Sequence, residues 1–257
     1  MLAMKFFEGK TALVVGGSGG IGAALSLRLA ERGATVVVHG GHESEKFSGL
    51  MEKIRVLSPQ SSAFVQHFSP ETFSALPQTP LFRHARECDL LCVCHGPFVY
   101  KTLEDTTAED WERMALLDYA LPGMLVSAVL PRFKEKKWGR ILLFGGTGTD
   151  RRTEYRKNAA YAGAKSALNV LVRSVAACYG SLGITCNAVL PGCTLTEYTE
   201  NGDGLSGKMP GKLPENLPEE MLLEPLSVAD CAMMLLSNQH LNGVLLPVDK
   251  GWQPSFS

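Results

Sequence analysis

The chain has 257 residues, of which 45% are apolar and 20% charged, which is typical of a globular protein and excludes a disordered or fibrous one. Its 25 basic and 26 acidic side chains leave a net charge of −1, so nothing predicts a nucleic-acid or anionic-membrane surface. No apolar run approaches the roughly 18 residues that cross a bilayer, and the first residues, MLAMKFFEGK, lack the apolar stretch of a signal peptide. We therefore expect a cytoplasmic protein.

Short runs of β-branched residues alternate with amphipathic stretches along the chain. This alternation predicts a parallel sheet with helices on both faces, because nearly continuous apolar strands suit a sheet that is buried on both sides. The spacing predicts a single doubly wound α/β domain over residues 1–257. The predicted strands are Thr11–Val15, Thr35–His39, Ala63–Phe68, Leu90–Cys94, Arg140–Phe144, Thr185–Val189 and Val244–Val248. The predicted helices lie near 20–32, 43–57, 108–133, 159–179 and 227–237.

Two stretches interrupt this rhythm. Residues 69–87 contain three prolines, so the helix expected there is short or irregular. Residues 197–226 contain four prolines and four glycines, and a loop of that length in a compact domain is usually functional or disordered. Because this second segment follows a late strand, we interpret it as a substrate loop that acts as a lid.

The seven cysteines lie at positions 88, 92, 94, 178, 186, 193 and 231. Their number is odd, no CxxC pair occurs, and most lie in apolar runs, so they predict buried free thiols rather than disulfides. Residues two apart on a strand, such as Cys92 and Cys94, are poorly placed for tetrahedral zinc. We predict no metal site.

The strongest local pattern follows the first predicted strand, where the segment GGSGGIG at 16–22 leads directly into a helix. Glycines at 16, 20 and 22 allow a tight turn, a close approach of the backbone to a diphosphate, and close packing of the helix on the strand. The helix N-terminus then offers free N–H groups and a partial positive charge to phosphate. The pattern predicts a dinucleotide site, the plainer alternative being an ordinary tight turn.

The same residues also fit the G-x-S-x-G elbow of the α/β-hydrolases, in which Ser18 would be a nucleophile. Chain order permits a triad, because Asp230 or Asp249 and His240 come later in the sequence. The elbow of that fold follows several strands, however, whereas Ser18 follows the first. We therefore favour the dinucleotide site over the hydrolase.

A tyrosine and a lysine stand four residues apart at the start of a predicted helix, in the segment YAGAK from Tyr161 to Lys165. This spacing places both side chains on one helix face. A free tyrosine has a pKa of about 10, and a nearby ammonium group brings that pKa toward neutral pH. By itself the pair is usually an exposed one, so its interpretation depends on the other motifs.

Taken together, these motifs resemble those of the short-chain dehydrogenases/reductases, especially the 3-oxoacyl-carrier-protein reductase-like members, along nearly the whole chain. The matching segments occur in the family's order: VVGGSGGIG at 14–22, DLLCVCHGP at 89–97, Trp111 with Asp118, GRILLFGGT at 139–147, YAGAK at 161–165, NAVLPGCTLT at 187–196 and NGVLLPVDKGW at 242–252. Each segment is weak evidence alone, but the set is specific. The resemblance implies a Rossmann-type fold and an NAD(P)(H)-dependent oxidoreductase that reduces a ketone or oxidises the corresponding alcohol.

The resemblance also implies roles for single residues. Tyr161 would be the general acid that protonates the substrate oxygen, and Lys165 would hold the nicotinamide ribose and lower the tyrosine pKa. Other cofactor contacts would come from the glycine-rich turn (Gly16, Ser18, Gly20, Ile21 and Gly22), from Gly96 near the adenosine, and from Pro191, Gly192, Thr194 and Thr196 around the nicotinamide. The cofactor would supply the hydride, and the protein orientation and proton delivery. By analogy we expect a homotetramer assembled through the helices at 108–133 and 159–179.

Two departures from the family pattern bear on activity. The family has serines after the strand that precedes the tyrosine, and the second of them polarises the substrate carbonyl, whereas this chain has Gly145 and Gly146 there. A one-residue slip would bring the Thr147 hydroxyl to that place, with Thr149 as the fallback. Asp118 replaces the family's usual asparagine, and it either takes part in the proton relay or is a helix residue without such a role. These departures motivate an alternative function, a nucleotide-binding regulatory protein with lost or weak catalysis.

The end of the second strand indicates the choice of cofactor. An acidic residue there would bind the ribose 2′-hydroxyl and select NAD, but the segment VHGGHES at 38–44 has no carboxylate at position 40 or 41. His39 and His42 would instead approach a 2′-phosphate, the alternative being that both are simply solvated. NADP(H) is therefore favoured over NAD(H), although no arginine supports it.

The identity of the small carbonyl or alcohol substrate stays open. It would be set by the loop at 197–226 and by the insertion at 148–158. The basic residues of that insertion would either meet an acidic substrate or lie in solvent: Arg151, Arg152, Arg156 and Lys157.

Overall fold

Seven parallel strands form one sheet in the computed structural model, which describes residues 5–152, 154–196 and 218–252. These strands are β1 Thr11–Val15, β2 Thr35–Gly40, β3 Ser62–Val65, β4 Leu90–Val93, β5 Gly139–Phe144, β6 Ile184–Pro191 and β7 Leu245–Val248. Their order across the sheet is β3-β2-β1-β4-β5-β6-β7. The predicted Rossmann-type α/β fold is confirmed, and every predicted strand is present within three residues of its predicted bounds.

The α-helices of the described residues lie on both faces of this sheet. They are α1 Gly20–Glu31, α2 Glu45–Leu57, α3 Pro80–Glu87, α4 Ala108–Met114, α5 Leu121–Lys136, α6 Ala159–Tyr179 and α7 Pro225–Ser237. Helices α3, α5 and α6 pack on one face, and α1, α2 and α7 on the other. Successive strand residues point to opposite faces, so Leu13 and Val15 join the first core while Ala12 and Val14 join the second. The apolar strands of the sequence follow from this two-sided burial.

The two irregular stretches have different outcomes. Residues 69–87 form a 3₁₀ helix, Pro70–Gln78, followed by the short helix α3, which confirms the prediction of a short or irregular helix. The predicted substrate loop at 197–226 lies outside the described residues over 197–217. Its described end forms an isolated bridge between Thr194 and Leu223.

The helix predicted over 108–133 is not continuous. Helix α4 ends at Met114, the next six residues, Ala115–Ala120, form a π-helical turn, and α5 follows at Leu121. The wider π turn changes which side chains face the sheet, and such turns are frequent at functional sites. In this chain the π turn carries Asp118, which has no exposed surface.

The helical run Ala108–Lys136 is long and apolar enough to cross a membrane by length and composition. Here α5 packs on β4, β5 and α3, and its Val129 and Phe133 are fully buried in the core. Only 44% of the most apolar stretch of the run is buried. The run is therefore a core helix that also presents an apolar outer face.

The cysteines follow their prediction in part. All seven lie in the described ranges as free thiols; Cys88, Cys92 and Cys186 are buried, Cys94, Cys193 and Cys231 are half-buried, and Cys178 is exposed. Burial raises the pKa of the Cys88 thiol to about 12, and an un-ionised buried thiol is chemically inert. The buried cysteines are part of the packed core.

The carboxyl ends of the parallel strands meet at one edge of the sheet. The strand order reverses between β1 and β4, because the chain runs outward through β2 and β3 before it crosses back. Ligands of open α/β sheets bind in the crevice outside such a reversal. Gly16 follows β1, Gly96 follows β4 by three residues, and Gly146 follows β5 by two. The fold therefore collects the predicted site at this edge.

Replacing Gly22 in α1 by alanine should destabilise the protein. The added Cβ would lie 2.1 Å from the Gly16 carbonyl oxygen and 3.0 Å from the Gly17 Cα, and overpacking against backbone costs about 1–3 kcal/mol. The measurement is the free energy of unfolding from urea titration. The matched control is Gly49→Ala in α2, where the new Cβ meets nothing within 4 Å and a gain of about 0.5–1 kcal/mol is expected. An equal effect of both substitutions would contradict the close packing at Gly22.

Candidate active site

The glycine-rich turn joins β1 to α1 and packs against two neighbouring strand ends. Gly16 and Gly20 have φ values of +76° and +49°, a left-handed backbone that favours glycine. A Cβ on Gly16 would lie 2.7 Å from the His95 main-chain nitrogen, and one on Gly20 would lie 2.9 Å from the Thr196 side chain. The turn therefore leaves no room for a side chain at Gly16 or Gly20, and it brings the predicted diphosphate and nicotinamide segments together. The N-terminus of α1, whose N-cap Gly19 has no side chain to fold over it, opens at this place.

Tyr161 and Lys165 lie on the first turns of α6, with Asp118 opposite. The Lys165 Nζ is 2.9 Å from Asp118 Oδ1, and both side chains are at least 95% buried. The same ammonium lies 5.8 Å from the centre of the Tyr161 ring. The π turn before α5 puts the Asp118 carboxylate at this position. A buried phenol, an ammonium and a carboxylate are thus within direct electrostatic reach of one another.

Burial controls the protonation of this group. Burial raises the pKa of Tyr161 well above its usual value, and the Asp118 carboxylate and Tyr155 raise it further. The net pKa of Tyr161 is therefore raised and not lowered as expected, because desolvation of the phenolate and the Asp118 charge outweigh the effect of the Lys165 ammonium, which is paired with Asp118. Burial also raises the pKa of Asp118 to about 6, against the opposing effect of Lys165.

Two glycines face this group and have no space for a side chain. A Cβ on Gly96 would lie 2.3 Å from Asp118 Oδ1 and 2.6 Å from Lys165 Nζ. A Cβ on Gly146 would lie 3.1 Å from the Tyr161 hydroxyl oxygen. Gly96, predicted near the adenosine, thus covers the ion pair, and Gly146 lies where the family's polarising serine is expected, directly beside the phenol.

Neither threonine that follows Gly146 directs its hydroxyl at the phenol. The Thr147 hydroxyl donates to the Pro191 carbonyl at 2.9 Å. The Thr149 hydroxyl donates to the Gly146 carbonyl at 2.9 Å, and its methyl group lies 3.5 Å from the Cβ that a residue at 146 would have. Each hydroxyl would have to rotate away from a main-chain acceptor before it donated to a ligand.

The segment after β6 closes the crevice on the side of the predicted nicotinamide contacts. The Gly192 N–H donates to the Val248 carbonyl at 2.8 Å, and the Thr194 hydroxyl donates to the Gly192 carbonyl at 3.1 Å. Pro191 is the last residue of β6. Pro191, Gly192 and Thr194 therefore form a turn held at the same sheet edge as the phenol, and Thr196 extends it toward Gly20.

Aromatic side chains that the sequence did not indicate stand around the phenol. The Phe98 ring meets the Tyr161 ring edge to face, with centroids 4.7 Å apart and an angle of 72°. Tyr100 stacks on Phe98 at 6.1 Å, and the Tyr155 hydroxyl donates to the Thr147 carbonyl at 3.3 Å. No residue spacing links these positions, because they come from two separate loops.

The basic insertion is only partly free for a ligand. Arg151 lies 3.5 Å from Asp249, and the Arg152 side chain passes within 2.9 Å of the place where a Cβ of Gly148 would be. The Lys157 ammonium lies 5.2 Å from the centre of the Tyr100 ring. The sequence left two alternatives, a stretch that lies in solvent or one that meets an acidic substrate. Neither describes Arg151, because it pairs with Asp249 within the protein.

His39 does not face a cofactor phosphate. Its side chain is 1% exposed; Nδ1 accepts a hydrogen bond from the Gly16 N–H at 3.0 Å, and Nε2 donates to the Gln66 carbonyl at 2.8 Å. Burial lowers the pKa of His39 to about 4, so the ring is neutral at neutral pH. The predicted contact of His39 with a 2′-phosphate is wrong, because both ring nitrogens are used inside the protein. His42 is exposed.

The hydrolase alternative fails on topology. Ser18 lies at the carboxyl edge of the sheet, after β1. His240 follows α7, which runs back toward the opposite edge before β7 begins. The acidic candidates are engaged elsewhere, since Asp230 pairs with Arg28 at 2.8 Å and Asp249 pairs with Arg151.

The buried histidine should make the stability depend on pH. The pKa of His39 is about 4 in the folded protein and 6.5 as its usual value, so between these pH values the unfolded chain binds the extra proton. Stability is therefore complete above pH 6.5 and falls by about 3 kcal/mol toward pH 4 from this group. His95, whose pKa burial lowers to about 3, adds in the same direction. Urea unfolding of the wild type and of His39→Asn should show a shallower fall for the variant over this range; parallel curves would contradict the assignment.

Comparisons with known proteins identify the family. A family model described as short chain dehydrogenase matches residues 10–203. The chain is 29% identical over 257 aligned residues to versicolorin reductase 1 of Aspergillus parasiticus, covering 97% of this chain and 89% of that protein. It is 30% identical over 186 residues to a hydroxynaphthalene reductase of Aspergillus fumigatus, covering 72% of this chain and 66% of that protein.

Solved structures share the whole fold. A short-chain dehydrogenase/reductase of Serratia marcescens matches with a TM-score of 0.78 at 25% identity, covering 95% of this chain and 98% of that one. A 3-oxoacyl (acyl-carrier-protein) reductase of Agrobacterium tumefaciens C58, solved with NADP bound, matches with a TM-score of 0.81 at 21% identity, covering 98% of this chain and 97% of that one.

Proposed function

The chain belongs to the short-chain dehydrogenase/reductase family and is an NAD(P)-dependent enzyme that interconverts ketones and alcohols, and we propose that it acts as a reductase with Tyr161 as the proton donor. The observation that carries this proposal is the position of the Tyr161 hydroxyl. It lies against Gly146 at the carboxyl edge of the sheet, on a ring whose centre is 5.8 Å from the Lys165 ammonium.

The residues at this edge fit a nicotinamide dinucleotide. A Cβ on Gly16, Gly20 or Gly22 would collide with neighbouring protein atoms, so glycine keeps the turn tightly folded, and the α1 N-terminus at its end suits a diphosphate. In the proposal, the diphosphate is held by Gly16, Ser18, Gly20, Ile21 and Gly22, and the nicotinamide and its ribose are held by Lys165, Pro191, Gly192, Thr194 and Thr196. Gly96, which was expected near the adenosine, borders Lys165 and so lies toward that ribose. When bound, the nicotinamide supplies the hydride that reduces the carbonyl carbon.

Tyr161 holds the proton that completes the alcohol. Its raised pKa keeps the phenol protonated at neutral pH, so that the proton is available to the substrate oxygen. A high pKa also makes the phenol a weak acid, and the Lys165 charge is what stabilises the phenolate left after the transfer. In this chain the Lys165 ammonium is also paired with Asp118, so it stabilises the phenolate less than an unpaired ammonium would. Asp118 therefore tunes the acid strength of Tyr161 through Lys165.

A second hydrogen bond to the developing oxyanion would come from Thr147, with Thr149 as the fallback. Both hydroxyls now donate to main-chain carbonyls, so the role requires a rotation about χ1. Gly146 has no hydroxyl of its own, so this hydrogen bond has to come from a neighbouring residue. One oriented donor of this kind is worth about a hundredfold in rate or more.

NADP(H) is the proposed cofactor in preference to NAD(H). The support is the lack of a carboxylate at the end of β2, where Gly40 and Gly41 occupy the positions that would meet the ribose 2′ group. His42 is exposed beside them and is the remaining candidate for a 2′-phosphate contact. The glycine at 40 also leaves room for Phe47, whose ring lies 2.7 Å from where a Cβ would stand.

The proposed substrate is a ketone carried on an aromatic ring system. Phe98 and Tyr100 form an aromatic wall that reaches Tyr161, and aromatic rings stack favourably on such walls. The relatives point the same way, because versicolorin reductase and hydroxynaphthalene reductase are named for aromatic compounds. The regulatory alternative rests only on Gly146 and Asp118, and no relative described above is of that kind.

We also propose a cytoplasmic homo-oligomer, a tetramer by analogy with the family. The seven free thiols support a reducing compartment. The outer faces of α5 and α6 support self-association, because a groove of about 940 Å³ lies there, lined by residues such as Met124, Ala128 and Leu171. Val170, also on α6, is 66% exposed.

Replacing Tyr161 by phenylalanine should abolish turnover and leave cofactor affinity unchanged. The phenol hydroxyl is the proton source, and loss of a general acid typically costs about 10²–10⁴ in rate. The assay is NADPH consumption with a panel of aromatic and aliphatic ketones, with NADPH binding measured separately. Tyr119→Phe, at an exposed tyrosine, is the matched control. Retained NADPH binding with no difference between wild type and Tyr161→Phe on any ketone would favour the regulatory alternative.

Replacing Asp118 by asparagine should move the alkaline limit of reduction to lower pH. The carboxylate raises the pKa of Tyr161, and its removal also returns the Lys165 charge to the phenol. Because Tyr161 must be protonated to act as the acid, a lower pKa of Tyr161 moves the alkaline fall of kcat/KM to lower pH. The measurement is the pH profile of kcat/KM. Asp110→Asn, which removes a carboxylate paired with Lys101 instead, should leave the profile in place; an unmoved profile in Asp118→Asn would refute the coupling.

A further inference from the structure

His39 holds two consecutive N–H groups of the glycine-rich turn. Its Nδ1 accepts from the Gly16 N–H at 3.0 Å, and its main-chain carbonyl accepts from the Gly17 N–H at 2.8 Å. The first of these hydrogen bonds is made by a side chain, so it depends on histidine at position 39, whereas strand pairing depends on the main chain alone. It satisfies a main-chain donor in a place where an unpaired N–H would be costly.

The imidazole itself is locked in one orientation. The Nε2 proton goes to the Gln66 carbonyl at 2.8 Å, which leaves Nδ1 as the acceptor and fixes the tautomer. The ring stacks on Phe68 with centroids 4.7 Å apart and an angle of 19°, and Phe64 contacts it at 5.3 Å. The Nδ1 lone pair therefore has a fixed direction toward Gly16.

The orientation of the Gly16 peptide is passed on to the start of α1. The Gly16 carbonyl oxygen lies 2.1 Å from the place where a Cβ of Gly22 would be, so the first turn of α1 rests directly on this residue. On its other side, Gly16 packs against the His95 main chain. A rotation of Gly16 would move the helix N-terminus that faces the diphosphate.

We propose that His39 is a positioning residue of the cofactor site, which keeps the glycine-rich turn in its diphosphate-binding form by accepting the Gly16 N–H. The inference rests on the proposed function in one respect, that this turn holds the dinucleotide. His39 touches no substrate or cofactor in this role. It acts through Gly16, and it needs a neutral acceptor at Nδ1 rather than a charge.

Two substitutions test the two ring nitrogens of His39 separately. In His39→Asn, the side-chain oxygen takes the place of Nδ1 and retains an acceptor for Gly16. In His39→Gln, the side-chain nitrogen takes the place of Nε2 and retains only the donor to Gln66. Both variants lose the aromatic ring, so a merely structural role would affect them alike.

NADPH affinity, measured by fluorescence titration, should distinguish the variants. We expect His39→Asn to bind within about threefold of the wild type and His39→Gln about tenfold or more weakly, as one lost buried hydrogen bond implies. The kcat at saturating NADPH should stay the same in both, while the KM for NADPH rises only in His39→Gln. His84→Gln, which removes another ring in contact with Phe64, is the control and should bind as the wild type does. Equal NADPH affinity of the Asn and Gln variants would overturn the proposal.

Two cofactor-free measurements keep this test independent of the proposed function. Nitrogen NMR of the wild-type imidazole should show the proton on Nε2 at neutral pH, and a proton on Nδ1 would overturn the inference even if His39→Gln fails to fold. The Gly16 amide should exchange slowly in the wild type and in His39→Asn. If both results hold and the wild type binds no nicotinamide cofactor, the proposed function is wrong. The hydrogen bond by which His39 holds the glycine-rich turn is then still supported.

Discussion

Close approach of backbone segments at the carboxyl edge of the sheet is the constraint on which the site depends. Glycines lie at three of these contacts, and a Cβ at each would come too close to a neighbouring group. The neighbouring groups are the His95 main chain at Gly16, the Asp118 carboxylate at Gly96 and the Tyr161 hydroxyl at Gly146. A side chain at any of these points would displace a strand end or a reactive group. The cofactor turn, the ion pair and the phenol are therefore one packed unit.

Burial sets the electrostatics of that unit. Asp118 has no exposed surface and Lys165 is 4% exposed, so the charges of the pair interact in a medium of low dielectric constant. The same desolvation keeps the phenol of Tyr161 protonated. An asparagine at 118 would leave the geometry similar but would give the whole lysine charge to the phenol. The aspartate thus raises the pKa of Tyr161 without a change in the geometry of the site.

The nucleotide end of the crevice depends on a neutral ring rather than on a charge. His39 occupies a position where the sequence pattern suggests a contact with the cofactor, yet its ring turns inward between Phe64 and Phe68. The exposed residues Gly41 and His42 then form the rim in its place. In the proposed function, His39 therefore supports the glycine-rich turn, and recognition of the ribose 2′ group is left to other residues.

The order of strands and helices, the glycine-rich turn and the Tyr161–Lys165 pair were all determined by the sequence alone. Each depends on a local pattern: apolar runs that suit a buried strand, glycines at the spacing of a tight turn, and two side chains four apart on a helix. The placement of predicted site residues at one sheet edge follows from that strand order. The structure alone decided that Asp118 pairs with Lys165, that His39 faces Gly16, and that Gly146 rather than a hydroxyl borders the phenol. These contacts join residues far apart in the chain, and they depend on a π turn and on side-chain packing that no local periodicity encodes.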